Sequence, residues 1–252
     1  MIVARNLTKT YGEASIIRDV SLDIPRGGIT SVIGPNGAGK STLLGLLSRL
    51  LPPTSGSVLV DELDVARAPS DVLARRLSIL RQDNHVTARL TVRDLVAFGR
   101  FPHSKGRLTE DDRRRIGEAI DYLGLNDLAD RFLDEMSGGQ RQRAFVAMVL
   151  CQDTDYVLMD EPLNNLDMRH ATGMMKLIRK AADELGKTFV IVLHDINFAS
   201  IYSDRIVAMR DGAVVRQGRP HEILQSDVLR EIFEIEIPVH EIDGRRLGLF
   251  YL

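Results

Sequence analysis

The sequence predicts an α/β fold with a mainly parallel sheet, and three observations predict it. Residues 29–33 form a short apolar run, residues 34–41 a glycine-rich loop, and leucines at helical spacing follow from Thr42 to Leu51. Residues 156–159 and 189–193 are two more continuous apolar runs, set between helical stretches. Such runs suit strands covered on both faces, as in parallel sheets. From about 86 to 150 the pattern changes to helix.

Taken in chain order, residues 1–33 read as short strands, punctuated at Tyr11-Gly12 and at Pro25-Arg26-Gly27-Gly28. The loop Gly34-Pro35-Asn36-Gly37-Ala38-Gly39-Lys40-Ser41 then matches the phosphate-binding pattern G-x-x-x-x-G-K-[ST]. Its glycines let backbone N–H groups turn inward around phosphates. Lys40 can reach the β- and γ-phosphates, and the Ser41 hydroxyl can ligate Mg²⁺. The strand before the loop and the helix after it are the context that the motif needs, with a positive helix end facing the phosphates. The loop indicates a nucleotide binder without saying which kind.

In the helical region, Thr109 is an N-cap with Asp112 three residues on, and Leu108 is placed as a staple. Ile116, Ile120 and Leu123 share one face, so Arg113, Arg114 and Arg115 read as a solvated face. Beyond residue 150, Asp160 and Glu161 follow one apolar run and His194 another. Ligands collect at the carboxyl ends of parallel strands. There Asp160 is placed to hold Mg²⁺, Glu161 to polarise an attacking water, and His194 to hydrogen-bond a γ-phosphate. Residues 207–215 form a hairpin through Asp211-Gly212, and 242–247 another through Asp243-Gly244. The second is expected to cover a sheet edge.

Ser137-Gly138-Gly139-Gln140, at the head of a helix, makes a second phosphate-binding surface. Two such loops in one chain, with a helical region between them, call for a head-to-tail homodimer. Each ATP would lie between the first loop of one subunit and the second loop of its partner, two sites per dimer.

Composition narrows the class. The chain has 252 residues, net charge −2 and 27% charged residues, an ordinary soluble balance without the basic excess of nucleic-acid binders. A single cysteine, Cys151, gives no disulfide framework and reads as a small buried apolar residue in a reducing compartment. The longest apolar stretch, 144–151, is far short of a membrane span, and no signal-peptide pattern opens the chain. The protein is expected to be neither secreted nor integral to a membrane.

At this point the sequence resembles the ATP-binding subunits of ABC transporters along essentially its whole length. Tyr11 matches the aromatic that stacks on adenine, residues 34–42 with Thr42 match Walker A, and Gln82 matches the Q-loop glutamine near Mg²⁺ and the membrane partner. Met136 to Gln140 match the signature loop, residues 157–161 Walker B with its catalytic Glu161, Asp167 the D-loop aspartate, and His194 the switch histidine. Met136 stands where leucine is usual, and Leu163-Asn164-Asn165-Leu166 replace the commoner small residues. The resemblance implies a P-loop NTPase (RecA-like) core with an antiparallel β region at its N-terminal end and an inserted α-helical subdomain. It implies one domain over 1–252, with a catalytic core at about 1–85 and 151–252 and the helical subdomain at about 86–150.

Residues 91–103, with Gly99-Arg100-Phe101-Pro102, look like the iron-chelate importer subfamily for siderophores, haem or cobalamin, and residues 82–103 like its permease-docking surface. The implied function is ATP hydrolysis that drives ferric-siderophore import. The implied cofactors are ATP and Mg²⁺, and the implied partners are integral-membrane permease subunits and, indirectly, an extracytoplasmic substrate-binding protein. The place is the cytoplasmic face of the cell membrane. Two alternatives stay open: an ABC ATPase serving another solute or export, and a non-transport ABC protein.

Overall fold

A computed structural model describes residues 1–82, 84 and 86–249; positions 83 and 85, inside the expected docking segment, and 250–252 lie outside the described residues. Strands β1 (Ile2–Tyr11) and β2 (Ala14–Ile24) pair as an antiparallel hairpin. They are longer than the short strands expected. The pairing continues through register shifts after Ala4 and Leu7, where Asn6 and Asp19 take left-handed backbone angles of φ 49° and 50°. Asn6 Nδ2 donates to Asp19 Oδ1 at 2.9 Å and ties the kink together. Strand β3 (Gly28–Ile33) leads into helix α1 (Lys40–Leu47), and β4 (Ser55–Val60) with β5 (Leu63–Asp64) completes a four-stranded sheet ordered β2-β1-β4-β5.

Helix α2 (Ser70–Ala74) precedes β6 (Leu77–Leu80). Next come α3 (Val92–Phe98), α4 (Phe101–Ser104), α5 (Glu110–Tyr122) and α6 (Gly138–Cys151). Thr91, Thr109 and Ser137 each close a capping box, so three helix starts follow directly from local sequence. The arginines of α5 pair with carboxylates of their own exposed face, Arg113 with Glu110 and Arg114 with Asp111 and Glu118. Arg100 and Asp112 do the opposite. Both are buried, with Arg100 Nε 2.8 Å from Asp112 Oδ1, and Arg100 also donates to the Cys151 carbonyl at 2.9 Å. This pair fastens α3–α4, α5 and α6 together.

The chain then alternates β7 (Tyr156–Asp160), α7 (Met168–Leu185), β8 (Thr188–Val192), α8 (Ile196–Tyr202) and β9 (Arg205–Arg210), and β10 (Ala213–Gly218) turns back through Asp211-Gly212. The main sheet is ordered β10-β9-β3-β8-β7-β6, parallel except for β10. Its apolar runs are continuous because both faces are covered. Val157, Met159, Phe189 and Ile191 face a core shared with α3, α5, α6 and α7. Tyr156, Leu158, Val190 and Val192 face a core shared with α1 and the antiparallel sheet.

Helices α9 (Pro220–Ile223) and α10 (Ser226–Phe233) precede the hairpin of β11 (Val239–Ile242) and β12 (Arg245–Gly248). That hairpin does not cover a sheet edge as expected. It forms its own two-stranded sheet on α8, because Asn197 and Ser200 of that helix satisfy its backbone. Asn197 exchanges hydrogen bonds with Gly248 at 2.8 and 3.1 Å, and Ser200 Oγ donates to the Arg246 carbonyl at 2.6 Å.

Candidate active site

The sheet order places the ends of β3, β8, β7 and β6 side by side, and the functional side chains follow those four strands. Gly34 leaves β3 with φ 144°, and a Cβ there would sit 2.1 Å from the Met209 carbonyl oxygen of β9, so only glycine fits. The loop Pro35–Ala38 closes on itself through Ala38 N–H to the Pro35 carbonyl at 3.2 Å, leaving Asn36 and Gly37 exposed. Gly39 caps α1 at φ 94° and packs under Ile17 of β2. The free N–H groups of a helix's first turn face outward along its axis, here into the loop.

Lys40 is buried, and its Nζ donates to the Gly34 and Pro35 carbonyls, both at 2.9 Å. Burial holds its ammonium below the usual lysine range, opposed by the charges of Glu161 and Asp160. A buried cation held, among the described residues, by two neutral carbonyls beside a glycine cradle suits a polyanionic phosphate chain.

Asp160 ends β7, and its Oδ1 accepts from Ser41 Oγ at 3.0 Å. Burial is the main cause raising the Asp160 carboxyl; the Ser41 hydrogen bond opposes it, the Glu161 charge adds to it, and Lys40 and His194 oppose it. Among the described residues no group of three or more His, Cys, Asp or Glu could hold a metal. One carboxylate and one hydroxyl do fit Mg²⁺, which keeps waters and substrate phosphates as its other ligands. A cavity of about 380 Å³ opens beside them, lined by Ser41, Thr42, Gln82, Asp160 and the apolar side chains of Leu51 and Ile79.

Glu161 carries the densest polar contacts. Its backbone is left-handed, φ 50°, which turns the side chain back across the strand ends. Oε2 accepts from Gln82 Nε2 at 2.8 Å and from Asn164 Nδ2 at 2.5 Å. His194 Nε2 lies 2.6 Å from Oε1, a contact that requires the proton on Nε2 while the carboxylate is ionised. His194 is otherwise open to solvent, whereas the Glu161 side chain is only 9% exposed. Gln82, Glu161 and His194 are expected at this site from the sequence, but Asn164 is not; its signal is only its place in an unusual turn.

Tyr11 stands at the turn of the β1–β2 hairpin with its ring exposed, and Lys9 Nζ is 4.8 Å from the ring centroid. Arg18 N–H donates to the Gly212 carbonyl at 2.8 Å and Gly212 N–H to the Ala38 carbonyl at 3.2 Å, so this hairpin is stitched to the loop.

Ser137, Gly138, Gly139 and Gln140 form a separate group with Asp167. Ser137 N–H donates to Gln140 Oε1 at 3.0 Å and Gln140 N–H to Ser137 Oγ at 3.3 Å. Gly139 packs on His170, whose N–H donates to Asp167 Oδ1 at 2.8 Å. Among the described residues no hydrogen bond or ion pair joins this group to Lys40, Asp160 or Glu161.

The family model described as "ABC transporter" matches residues 17–164. The protein is 51% identical over 251 residues to the petrobactin import ATP-binding protein YclP of Bacillus subtilis (strain 168), covering 100% of both chains. It is 53% identical over 239 residues to the petrobactin import ATP-binding protein FatE of Bacillus anthracis, covering 95% of this chain and 96% of that one. Among solved structures, the post-hydrolysis dimer of the ATP-binding cassette MJ0796 bound to ADP and Pi is similar at TM-score 0.77 and 31% identity, covering 87% of this chain and 99% of that one. This chain belongs to the ABC transporter family, as one of its ATP-binding proteins.

Proposed function

We propose that this protein hydrolyses ATP to drive import of an iron–siderophore complex through a membrane permease. The observation that carries the ATPase reading is the meeting of Glu161, His194 and Gln82 beside the loop that holds Lys40. The two relatives named for petrobactin import make ferric petrobactin the first chelate to test.

Lys40 and the loop N–H groups bind the β- and γ-phosphates, and Tyr11 offers its ring to adenine. Ser41, Asp160 and Gln82 are the residues that would hold Mg²⁺. Mg²⁺ held there would supply positive charge against the negative charge that develops on the phosphates. Glu161 takes a proton from the attacking water as the new oxygen–phosphorus bond forms and the bond to the ADP oxygen breaks. His194 orients that water and the γ-phosphate. Because Ser137, Gly138, Gly139 and Gln140 stand apart from Lys40, a partner subunit supplies them, with Asp167 at the seam. This gives a head-to-tail homodimer with ATP at the interface.

The catalytic core comprises about 1–85 and 151–252, and the helical segment of about 86–150 moves with the permease. Residues 82–103 dock it, with Phe98 and Phe101 exposed on that segment. No described helix is long and apolar enough to cross a membrane. The proposed place is therefore peripheral, on the cytoplasmic face, and the extracytoplasmic binding protein is reached only through the permease. ATP can close the dimer and shift the permease only by binding the closed state more tightly than the open one.

The test is uptake of radioiron supplied as ferric petrobactin and as other siderophores, in cells lacking the gene and complemented with wild type or Glu161→Gln. Uptake of one chelate restored by wild type alone supports the reading. Normal uptake of every chelate in the deletion strain contradicts it.

A further inference from the structure

We infer that Asn164 is a positioning residue that restrains the Glu161 carboxylate until the site is assembled. The inference rests on Glu161 being the base proposed above. A carboxylate oxygen has two lone pairs in its plane. On Glu161 Oε2 both are taken, by Gln82 Nε2 at 2.8 Å and Asn164 Nδ2 at 2.5 Å, while Oε1 faces His194 Nε2 at 2.6 Å. Oε2 therefore cannot take a water proton while both amides hold it, and the lone pair left on Oε1 lies beside His194.

The three donors differ in what can remove them. Gln82 begins the segment proposed for the permease, and the His194 side chain is partly exposed. Asn164 alone belongs to the same tight turn as the base. Asn164 N–H donates to the Glu161 carbonyl at 3.1 Å, and Glu161 and Asn165 both hold left-handed backbones, φ 50° and 61°. Left-handed non-glycine residues persist only where their surroundings hold them.

The turn is also fastened to the second phosphate-binding loop. Gln142 of α6 donates through Nε2 to the Pro162 carbonyl at 2.9 Å, and Asp167 caps α7 where Gly139 packs on His170. A partner's nucleotide pressing on Ser137–Gln140 therefore bears on the turn that carries Asn164. Movement of that turn withdraws the amide from Oε2 and frees a lone pair for water. In this way base release is tied to dimer assembly, and the lone subunit is kept from wasting ATP.

The experiment is steady-state ATP hydrolysis by the purified full chain without its permease, at protein concentrations where gel filtration shows no dimer, the state in which the restraint acts. Wild type, Asn164→Ala, Asn164→Asp, Glu161→Gln and the double variant Asn164→Ala/Glu161→Gln are compared, each with its thermal midpoint. Loss of one charge-assisted hydrogen bond predicts a rise in kcat of about tenfold or more in Asn164→Ala, with KM changed by less than about twofold. Asn164→Asp keeps the shape but loses the donor and is expected to rise as well. The double variant is expected to be as inactive as Glu161→Gln, because the gain passes through Glu161. A kcat at or below wild type in Asn164→Ala overturns the inference, as does wild-type behaviour of Asn164→Asp. If Glu161→Gln itself turns over normally, the base assignment fails first and the restraint with it. If Glu161→Gln is dead and Asn164→Ala is unchanged, only the restraint fails.

Discussion

Ser41 Oγ donates to Asp160 Oδ1 at 3.0 Å, joining the first turn of α1 to the end of β7. The two oxygens converge from elements far apart in sequence. Under the proposed assignment, removing either would leave Mg²⁺ with one fewer protein ligand. Ser41→Ala is therefore expected to raise the Mg²⁺ concentration needed for half-maximal hydrolysis by about tenfold. A magnesium titration at saturating ATP measures it, and an unchanged midpoint contradicts the ligand assignment.

Lys40 is a buried ammonium held on two backbone carbonyls. Burial disfavours its charged form, an effect opposed by the charges of Glu161 and Asp160. Lys40→Met is expected to leave the thermal midpoint of the nucleotide-free chain no lower than that of wild type. It should weaken ATP binding about 10- to 100-fold, the worth of a charge-assisted hydrogen bond. Calorimetric titration and thermal shift with and without ATP separate the two effects. A destabilised variant with normal affinity would show that Lys40 serves the fold alone.

The phosphate loop and the residues at the ends of β7 and β8 were legible in the sequence because strand–loop chemistry is local there. Capping boxes at Thr109 and Ser137 were legible for the same reason. The Asp211-Gly212 hairpin was legible, but not its role in stitching β2 to Ala38, which depends on strand order. The length of β1 and β2 was missed because left-handed Asn6 and Asp19 allow pairing to continue where periodicity breaks. The final hairpin lies on α8 because of two polar side chains, Asn197 and Ser200, that no hydrophobic pattern marks. Asn164 was visible only as part of an unusual turn; its contact with Glu161 comes from backbone angles that sequence periodicity does not encode.

The buried pair of Arg100 and Asp112 was likewise invisible, since Arg100 read as part of a docking surface. The Thr109 backbone N–H is the main cause holding the Asp112 carboxyl down to about 2; burial opposes it, and Arg100 and the Thr109 hydroxyl assist. Its folded pKa lies below the unfolded value of about 3.9, so its contribution is full above about pH 4 and is lost as pH falls toward 2. Asp112→Ala leaves Arg100 buried without its counter-charge, at a cost of about 3–5 kcal/mol at neutral pH. Urea unfolding of both proteins from pH 7 to pH 3 is expected to show that gap narrowing with acid. A gap below about 1 kcal/mol at pH 7 would mean that the pair adds little to the helical packing.

The central claim is that Glu161 is the base of an ATPase whose two phosphate-binding loops meet across a dimer. The measurement that tests it most directly is gel filtration with ATP and Mg²⁺ of wild type and Glu161→Gln, alongside their turnover. The account predicts that Glu161→Gln binds ATP, loses hydrolysis by at least about 100-fold, and elutes as a trapped dimer. A Glu161→Gln protein that stays monomeric and turns over normally would contradict it.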